Sequence, residues 1–211
     1  MLIQKGVPES TIAANLIIAR GDVTDIDSVK LALVYKQRPV DLIVSGIGGK
    51  PIMSNPLSPT LDNPTVCQDG VRTILAASRL LHHTEHDSKP TLVVVSTTGL
   101  DDQRRDVPLL EMPLYYWLLK VPHKDKKIME TMIREEVQKP ASERAIQDYT
   151  IARASLLTDG AGYGVDKVRA GSEEKPATGY YISRNDVGRW MFEKLVKSRG
   201  EYSNKVVSIT I

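Results

Sequence analysis

Short runs of branched apolar residues recur along this chain, and longer stretches with helical spacing separate them. Residues 15–20 (Leu16, Ile17, Ile18), 40–45 (Leu42, Ile43, Val44), 91–96 (Leu92 to Val95), 149–153 and 205–211 read as strands. They are apolar throughout rather than alternating, the pattern of strands covered on both faces of a parallel sheet. Candidate helices fall between them at 25–36, 65–83, 124–138 and 185–198. Strand–helix–strand repeats of this length predict an α/β fold with a doubly wound, mainly parallel sheet and right-handed crossovers. The 211 residues suit one domain spanning 1–211. Residues 160–179 break the rhythm with Gly160, Gly162, Gly164, Gly171, Gly179 and Pro176, and read as a surface excursion that covers the substrate rather than as a second domain.

Two helix starts carry legible chemistry. Asp25 and Asp27 stand where free N–H groups and the positive helix end favour carboxylates, and Ser183 or Asn185 can cap the helix that turns Trp190 and Phe192 to the core. Lys and Arg number 28 against 26 Asp and Glu, so the net charge of +2 offers no field for nucleic acid or an anionic membrane. The charge-rich stretch 120–144 is a mixed, solvated face. Cys67 is the only cysteine, which excludes an internal disulfide and fits a reducing, cytoplasmic setting. The first residues lack the apolar core of a signal peptide, and no aliphatic run approaches the roughly 20 residues that cross a bilayer. His82, His83 and His86 have a spacing that could suit zinc, but at a helix end they read as a solvated terminus, so no metal is expected.

Ligands of an open parallel sheet bind beyond the carboxyl ends of its strands. Four runs end there in small or polar residues: Gly21-Asp22-Val23, Ser45-Gly46-Ile47-Gly48-Gly49, Ser96-Thr97-Thr98-Gly99 and Ala154-Ser155-Leu156. Each alone is ordinary turn chemistry; together they describe a nucleotide-binding edge. Gly46 to Lys50 is no P-loop, since Pro51 follows the lysine.

These tips, with Lys126-Lys127-Ile128-Met129-Glu130, Asp148-Tyr149-Thr150-Ile151-Ala152-Arg153 and Ser183-Arg184-Asn185-Asp186-Val187, resemble the atypical short-chain dehydrogenases/reductases, in particular the NmrA-like and flavin-reductase-like NAD(P)-binding branch with its Rossmann-like sheet. The chain departs from that pattern at Arg153-Ala154, where the family has Arg-Pro. It also lacks the family's opening strand, glycine-rich turn, helix and second strand, which the family's order inserts between the runs at 15–20 and 40–45. An empty gap there leaves backbone groups unpaired, at about 1–3 kcal/mol each. So the two runs pair directly, a second copy or another partner completes the sheet, or the sequence is part of a longer one.

The resemblance implies a cofactor, NADP with NAD the alternative, and a small-molecule substrate. It implies that Asp22 accepts from the adenine amino group with Val23 beside it, that Ser45, Gly46 and Ile47 flank the nicotinamide ribose, and that Ala154, Ser155 and Leu156 meet the amide. Lys126 would hold the ribose, with Ser96 or Thr97 across the site as hydrogen-bond donor. The bland alternative for Lys126 is an ion pair with Glu130. Tyr116-Trp117-Leu118-Leu119-Lys120 spells Tyr-x-x-x-Lys, whose lysine could lower the phenol's pKa for proton donation. Its apolar setting equally suits packing around a substrate lid at 109–121, and His123 has the bland reading of a surface residue. The expected activity is NAD(P)H-dependent reduction of a small or medium cyclic carbonyl, quinone or flavin-like substrate. The alternative is a redox-sensing or scaffolding protein that binds dinucleotide weakly or not at all.

Overall fold

The computed structural model describes residues 3–211 apart from 55–58, 83–87, 102–103 and 199, and apart from the side chains of Lys5, Leu114 and Tyr116. Its central sheet contains β1 (Leu42–Ser45), β2 (Thr91–Thr97), β3 (Asp148–Ala154), β5 (Arg169–Ser172) and β7 (Lys205–Thr210) in the order β1-β2-β3-β7-β5. The first four strands in that order run parallel; β5 alone runs antiparallel, against β7. Beyond the tip of β3, β4 (Leu156–Thr158) pairs in parallel with β6 (Tyr181–Ser183).

Alternate residues of the buried strands feed two cores, one on each face. Leu92 and Val94 of β2 and Ile151 of β3 pack with α2 (Ile26–Ala32), α3 (Val66–Leu81) and α5 (Lys120–Gln138), through Val29, Val71, Ile74, Met129 and Ile133. Val93, Ala152, Val207 and Ile209 face the other way, onto Val187, Trp190 and Met191 of α6 (Arg184–Met191). This is the doubly wound α/β fold expected from the apolar runs.

Several expectations need correction. Residues 15–20 form no strand. The chain is helical at α1 (Glu9–Asn15), and Leu16, Ile17 and Ile18 then run extended and exposed, with no strand partner among the described residues. An apolar run becomes a strand only where a neighbour takes its backbone hydrogen bonds. The direct pairing of 15–20 with 40–45 therefore does not occur, and among the described residues β1 pairs with β2 alone. Within the segment 160–179, Arg169–Ser172 forms the far edge strand of the sheet, and none of the segment's residues is among those lining the cleft described below. Phe192 is 50% exposed. It lies two residues beyond the buried Trp190, where a π turn at Phe192–Val196 carries it to the opposite side. Asp25 does cap α2, accepting from the N–H groups of Asp27 and Ser28, and Ser183 rather than Asn185 caps α6 through the N–H of Asp186.

The back of α5 is fastened by Glu136. Its carboxylate, 2% exposed, accepts from Arg79 at 2.6 and 2.7 Å, from Lys139 at 2.6 Å and from the N–H of Ala145 at 2.6 Å. Burial raises its pKa, but Lys139, the Ala145 N–H and Arg79 outweigh burial and hold it below the usual glutamate value. A carboxylate with a lowered folded pKa stabilises above the unfolded value and loses that contribution as pH falls through the carboxylate range. Glu136→Ala leaves the Ala145 N–H unpaired and should cost about 2–3 kcal/mol in urea unfolding at neutral pH. The difference from wild type should shrink as the medium is acidified. A second test concerns the turn joining Val34–Tyr35 to Arg38–Pro39, where Lys36 and Gln37 have φ of 48° and 63°. Two left-handed residues make the tight hairpin turn that favours glycine in its second place. Gln37→Gly should raise stability by about 0.5–1 kcal/mol in the same assay.

Candidate functional site

At the carboxyl edge of β1, β2 and β3 lies a cleft of about 290 Å³. The loop after β1 contributes Gly46, Ile47 and Gly48; β2 contributes Val95, Ser96 and Thr97; the end of β3 and the start of β4 contribute Ala154, Ser155, Leu156 and Leu157. The fourth wall is helical. It comes from α4 (Met112–Leu118) and α5, through Tyr115, Leu119, Pro122, His123 and Lys126. Those numbers follow the helical period across both helices, so they fall on one face. The helix begins at Lys120, earlier than expected from Pro122, because a proline in the first turn removes no helical hydrogen bond.

Three contacts set the rotation of α5. Asp125, 1% exposed, accepts from the N–H groups of Cys67 and Gln68, both at 2.9 Å, and so caps α3 from a neighbouring helix. Glu130, 4% exposed, takes Arg153 on both oxygens at 3.1 and 2.6 Å and the Ser96 hydroxyl at 2.5 Å. Lys126, between them, donates to the Val95 carbonyl at 2.9 Å and faces the cleft. The bland alternative for Lys126 fails on this geometry: the cation against Glu130 is Arg153.

Of the residues named from sequence, Gly46, Ile47, Ser96, Thr97, Lys126, Ala154, Ser155 and Leu156 line this one cleft. Ser45 ends β1 with 7% exposure and is not among the lining residues. Asp22 and Val23 lie outside it too. The Asp22 carboxylate accepts from the N–H and hydroxyl of Thr24, which hold its pKa below the ordinary aspartate value. Val23 and Ile47 meet at α3, where a Cβ on Gly70 would stand 3.2 Å from Val23 and 3.1 Å from Ile47. The donor role expected of Ser96 needs correction, since its hydroxyl proton goes to Glu130. The Ser155 hydroxyl likewise donates to Thr210 at 2.9 Å.

The side chain of Tyr116 lies outside the described residues. The tyrosine that lines the cleft is its neighbour Tyr115, 4% exposed, with its hydroxyl 3.3 Å from Thr98 Oγ1 and against the Leu156 N–H. Burial pushes its phenol above the ordinary value; Thr98 and Leu156 draw it down only in part, while the Glu111 and Asp106 carboxylates add to the rise. His123 is no surface residue. Its ring centroid is 5.7 Å from that of Tyr115, and burial followed by the Lys126 charge lowers its pKa to about 4. The signal that finds both is the spacing Tyr115, Leu119, His123, Lys126, which continues through the apparent break at Pro122. Among the three histidines considered for zinc, His82 directs Nδ1 at the Ser78 carbonyl, 2.8 Å away, and His83 and His86 lie outside the described residues.

A Cβ at Gly46 or Gly48 would meet nothing within 4 Å, so both glycines face open space beside the Lys126 cation. Among the described residues no helix is long and apolar enough to cross a membrane.

Several known proteins are similar to this chain. A curated reductase of Aspergillus terreus, pytE, is 54% identical over 219 residues, covering 100% of this chain and 83% of its own. An oxidase of Aspergillus niger, pynE, is 31% identical over 240 residues, covering 100% and 84%. Among solved structures, a short-chain dehydrogenase/reductase of Veillonella parvula in complex with NADP superimposes with a TM-score of 0.67 at 14% identity, over 99% of this chain and 79% of that one. The anaerobillin reductase ChuY of Escherichia coli gives 0.62 at 18% identity, over 95% and 78%, and both likenesses concern the fold. The family model described as NAD(P)H-binding matches residues 5–197. With the reductase and oxidase relatives, that match makes the chain a member of the NAD(P)H-binding oxidoreductase family.

Proposed function

We propose that this protein is a cytoplasmic reductase that prefers NADPH to NADH and acts on small or medium cyclic carbonyl, quinone or flavin-like compounds. The observation that carries the reading is the juxtaposition of Gly46 and Gly48, open to a ligand, with Lys126 across the same cleft. The reductase pytE and the NADP complex of the Veillonella parvula neighbour support the cofactor and the direction of reaction. Bound NADPH supplies a hydride equivalent to an electrophilic carbon.

The chain supplies the surroundings. An ammonium carries three donors, and the Val95 carbonyl takes one of those of Lys126 while holding the side chain extended into the cleft. Gly46 and Gly48 let ribose or phosphate oxygens approach the backbone. Ile47, Leu119, Pro122 and Leu157 form apolar walls that exclude water and suit a flat ring. Buried Ala154 and Ser155 keep the floor of the cleft smooth.

Filling the cradle tests the reading. Gly46→Val adds atoms where the protein has none, so its melting temperature should match wild type while NADPH affinity by calorimetry falls roughly tenfold or more. Lys126→Met should weaken NADPH by about tenfold through the lost charged hydrogen bonds. Full affinity in both variants would place the cofactor elsewhere.

A further inference from the structure

The cleft has a second cation that the cofactor reading leaves unused. Besides Lys126, the charged side chain among its lining residues is Arg184, and no Asp or Glu lines it. Ser183 of β6 pairs with Thr158 of β4, so the next residues, Arg184 and Asp159, leave the two strand ends side by side. There the Arg184 guanidinium donates from Nη1 to the Asp159 carboxylate at 2.8 Å. The Arg184 side chain is 57% exposed and that of Asp159 91%, so the pair stands in water, where such a bond is worth little and yields readily. A guanidinium has five N–H donors, and this bond occupies one. Sheet order separates the duties of the two cations. Gly46 and Gly48 follow β1, Lys126 bonds the Val95 carbonyl of β2, and Arg184 lies past the tip of β3, beyond β4. A dinucleotide that enters over the β1 glycines and meets Lys126 leaves Arg184 at the other end of the cleft. A cleft of about 290 Å³ is small for two ligands, so a substrate sharing it with a nicotinamide ring projects at that rim.

We infer that Arg184 selects substrates that carry a carboxylate, its guanidinium binding the acid group of a flat cyclic carbonyl compound whose ring lies against Leu156 and Leu157. The inference rests on the reductase reading above and names the substrate class of the same site. A planar fork of N–H groups fits both oxygens of a carboxylate, and such bonds are roughly twice as strong as those between neutral groups. Turning from Asp159 costs little, because water solvates the exposed carboxylate left behind. No lining carboxylate opposes the incoming charge, and the Lys126 cation adds to the attraction.

Isatin-5-carboxylate and its methyl ester, which share one reducible ring, serve as probes in steady-state consumption of NADPH by the full chain. Wild type should favour the carboxylate about tenfold or more in kcat/KM, the margin expected of hydrogen bonds between charged groups. Arg184→Met should bring that ratio near one, with the NADPH dissociation constant unchanged by calorimetry. Arg184→Lys, which keeps the charge without the fork, should retain part of the preference. In the unmodified protein, the 15N resonance of Arg184 Nε should move when the carboxylate is added to the NADP complex and stay in place with the ester, a readout that needs no variant to fold. A wild-type ratio near one, an undiminished ratio in Arg184→Met, or a resonance unmoved at saturating carboxylate would overturn the assignment. A tenfold loss of NADPH affinity in Arg184→Met would give the guanidinium to the cofactor and overturn it too. A wild type that binds NADPH yet reduces neither compound would overturn it while the cofactor site stands. A wild type that fails to bind NADPH would overturn both.

Discussion

One helix, α5, places His123 and Lys126 in the cleft wall, and three buried carboxylates hold that helix. Asp125, Glu130 and Glu136 on α5 are 1, 4 and 2% exposed, and a buried charge without partners costs several kcal/mol. Their donors are spread over the fold: the first turn of α3 for Asp125, Arg153 of β3 with Ser96 of β2 for Glu130, and Arg79 from the last turn of α3 with the Ala145 N–H for Glu136. Because those donors stand at fixed places along and around the helix, few rotations satisfy all three. The one adopted turns His123 and Lys126 into the cleft. Apolar packing by Met129 and Ile133 on the same helix supplies cohesion, but many rotations bury a methyl group, whereas few satisfy three carboxylates.

The same networks decide which groups are left for chemistry. Ser96, Ser155 and Tyr115 look on paper like hydroxyls ready for a substrate, and each is already bonded within the protein. The cleft lining also holds the Lys126 cation, an imidazole, the Thr97 hydroxyl and backbone beside two glycines. A site of this composition favours binding an anionic cofactor and polarising an oxygen over delivering a proton from a side chain, and the raised pKa of the Tyr115 phenol agrees.

The layered α/β fold was legible because its strands are continuous apolar runs such as Leu92 to Val95, and the tips of β1, β2 and β3 were legible because small and polar residues interrupt those runs at one end. Three features were not. Residues 15–20 carry the composition of a strand, yet composition cannot report whether a partner stands beside them. The four-residue motif draws attention to Tyr116, whereas the helical face that runs on through Pro122 brings Tyr115 to the cleft. Nothing beside Ser96 in sequence shows what its hydroxyl donates to, since the acceptor, Glu130, lies 34 residues away. For residues 15–20 and for Ser96 the deciding contact is long-range; for Tyr115 it is the local helical face.

Glu130 and Arg153 also join two motifs that look separate in sequence. Lys126 and Glu130 are four apart on one helix, so they share a face, and Arg153 stands next to the end of the strand across from them. The guanidinium meets both carboxylate oxygens while lying within 3.8 Å of Asp101 and Glu173. A fork of fixed geometry locks the carboxylate in plane as well as in position, which a lysine's single ammonium cannot do. The proline that follows this arginine in the resembling family is therefore not what the site requires. Ala154 serves here because its carbonyl need only accept from the Thr98 N–H at 3.1 Å, and any residue supplies a carbonyl. The ion pair carries the constraint, and through Glu130 it reaches Lys126 one helical turn away.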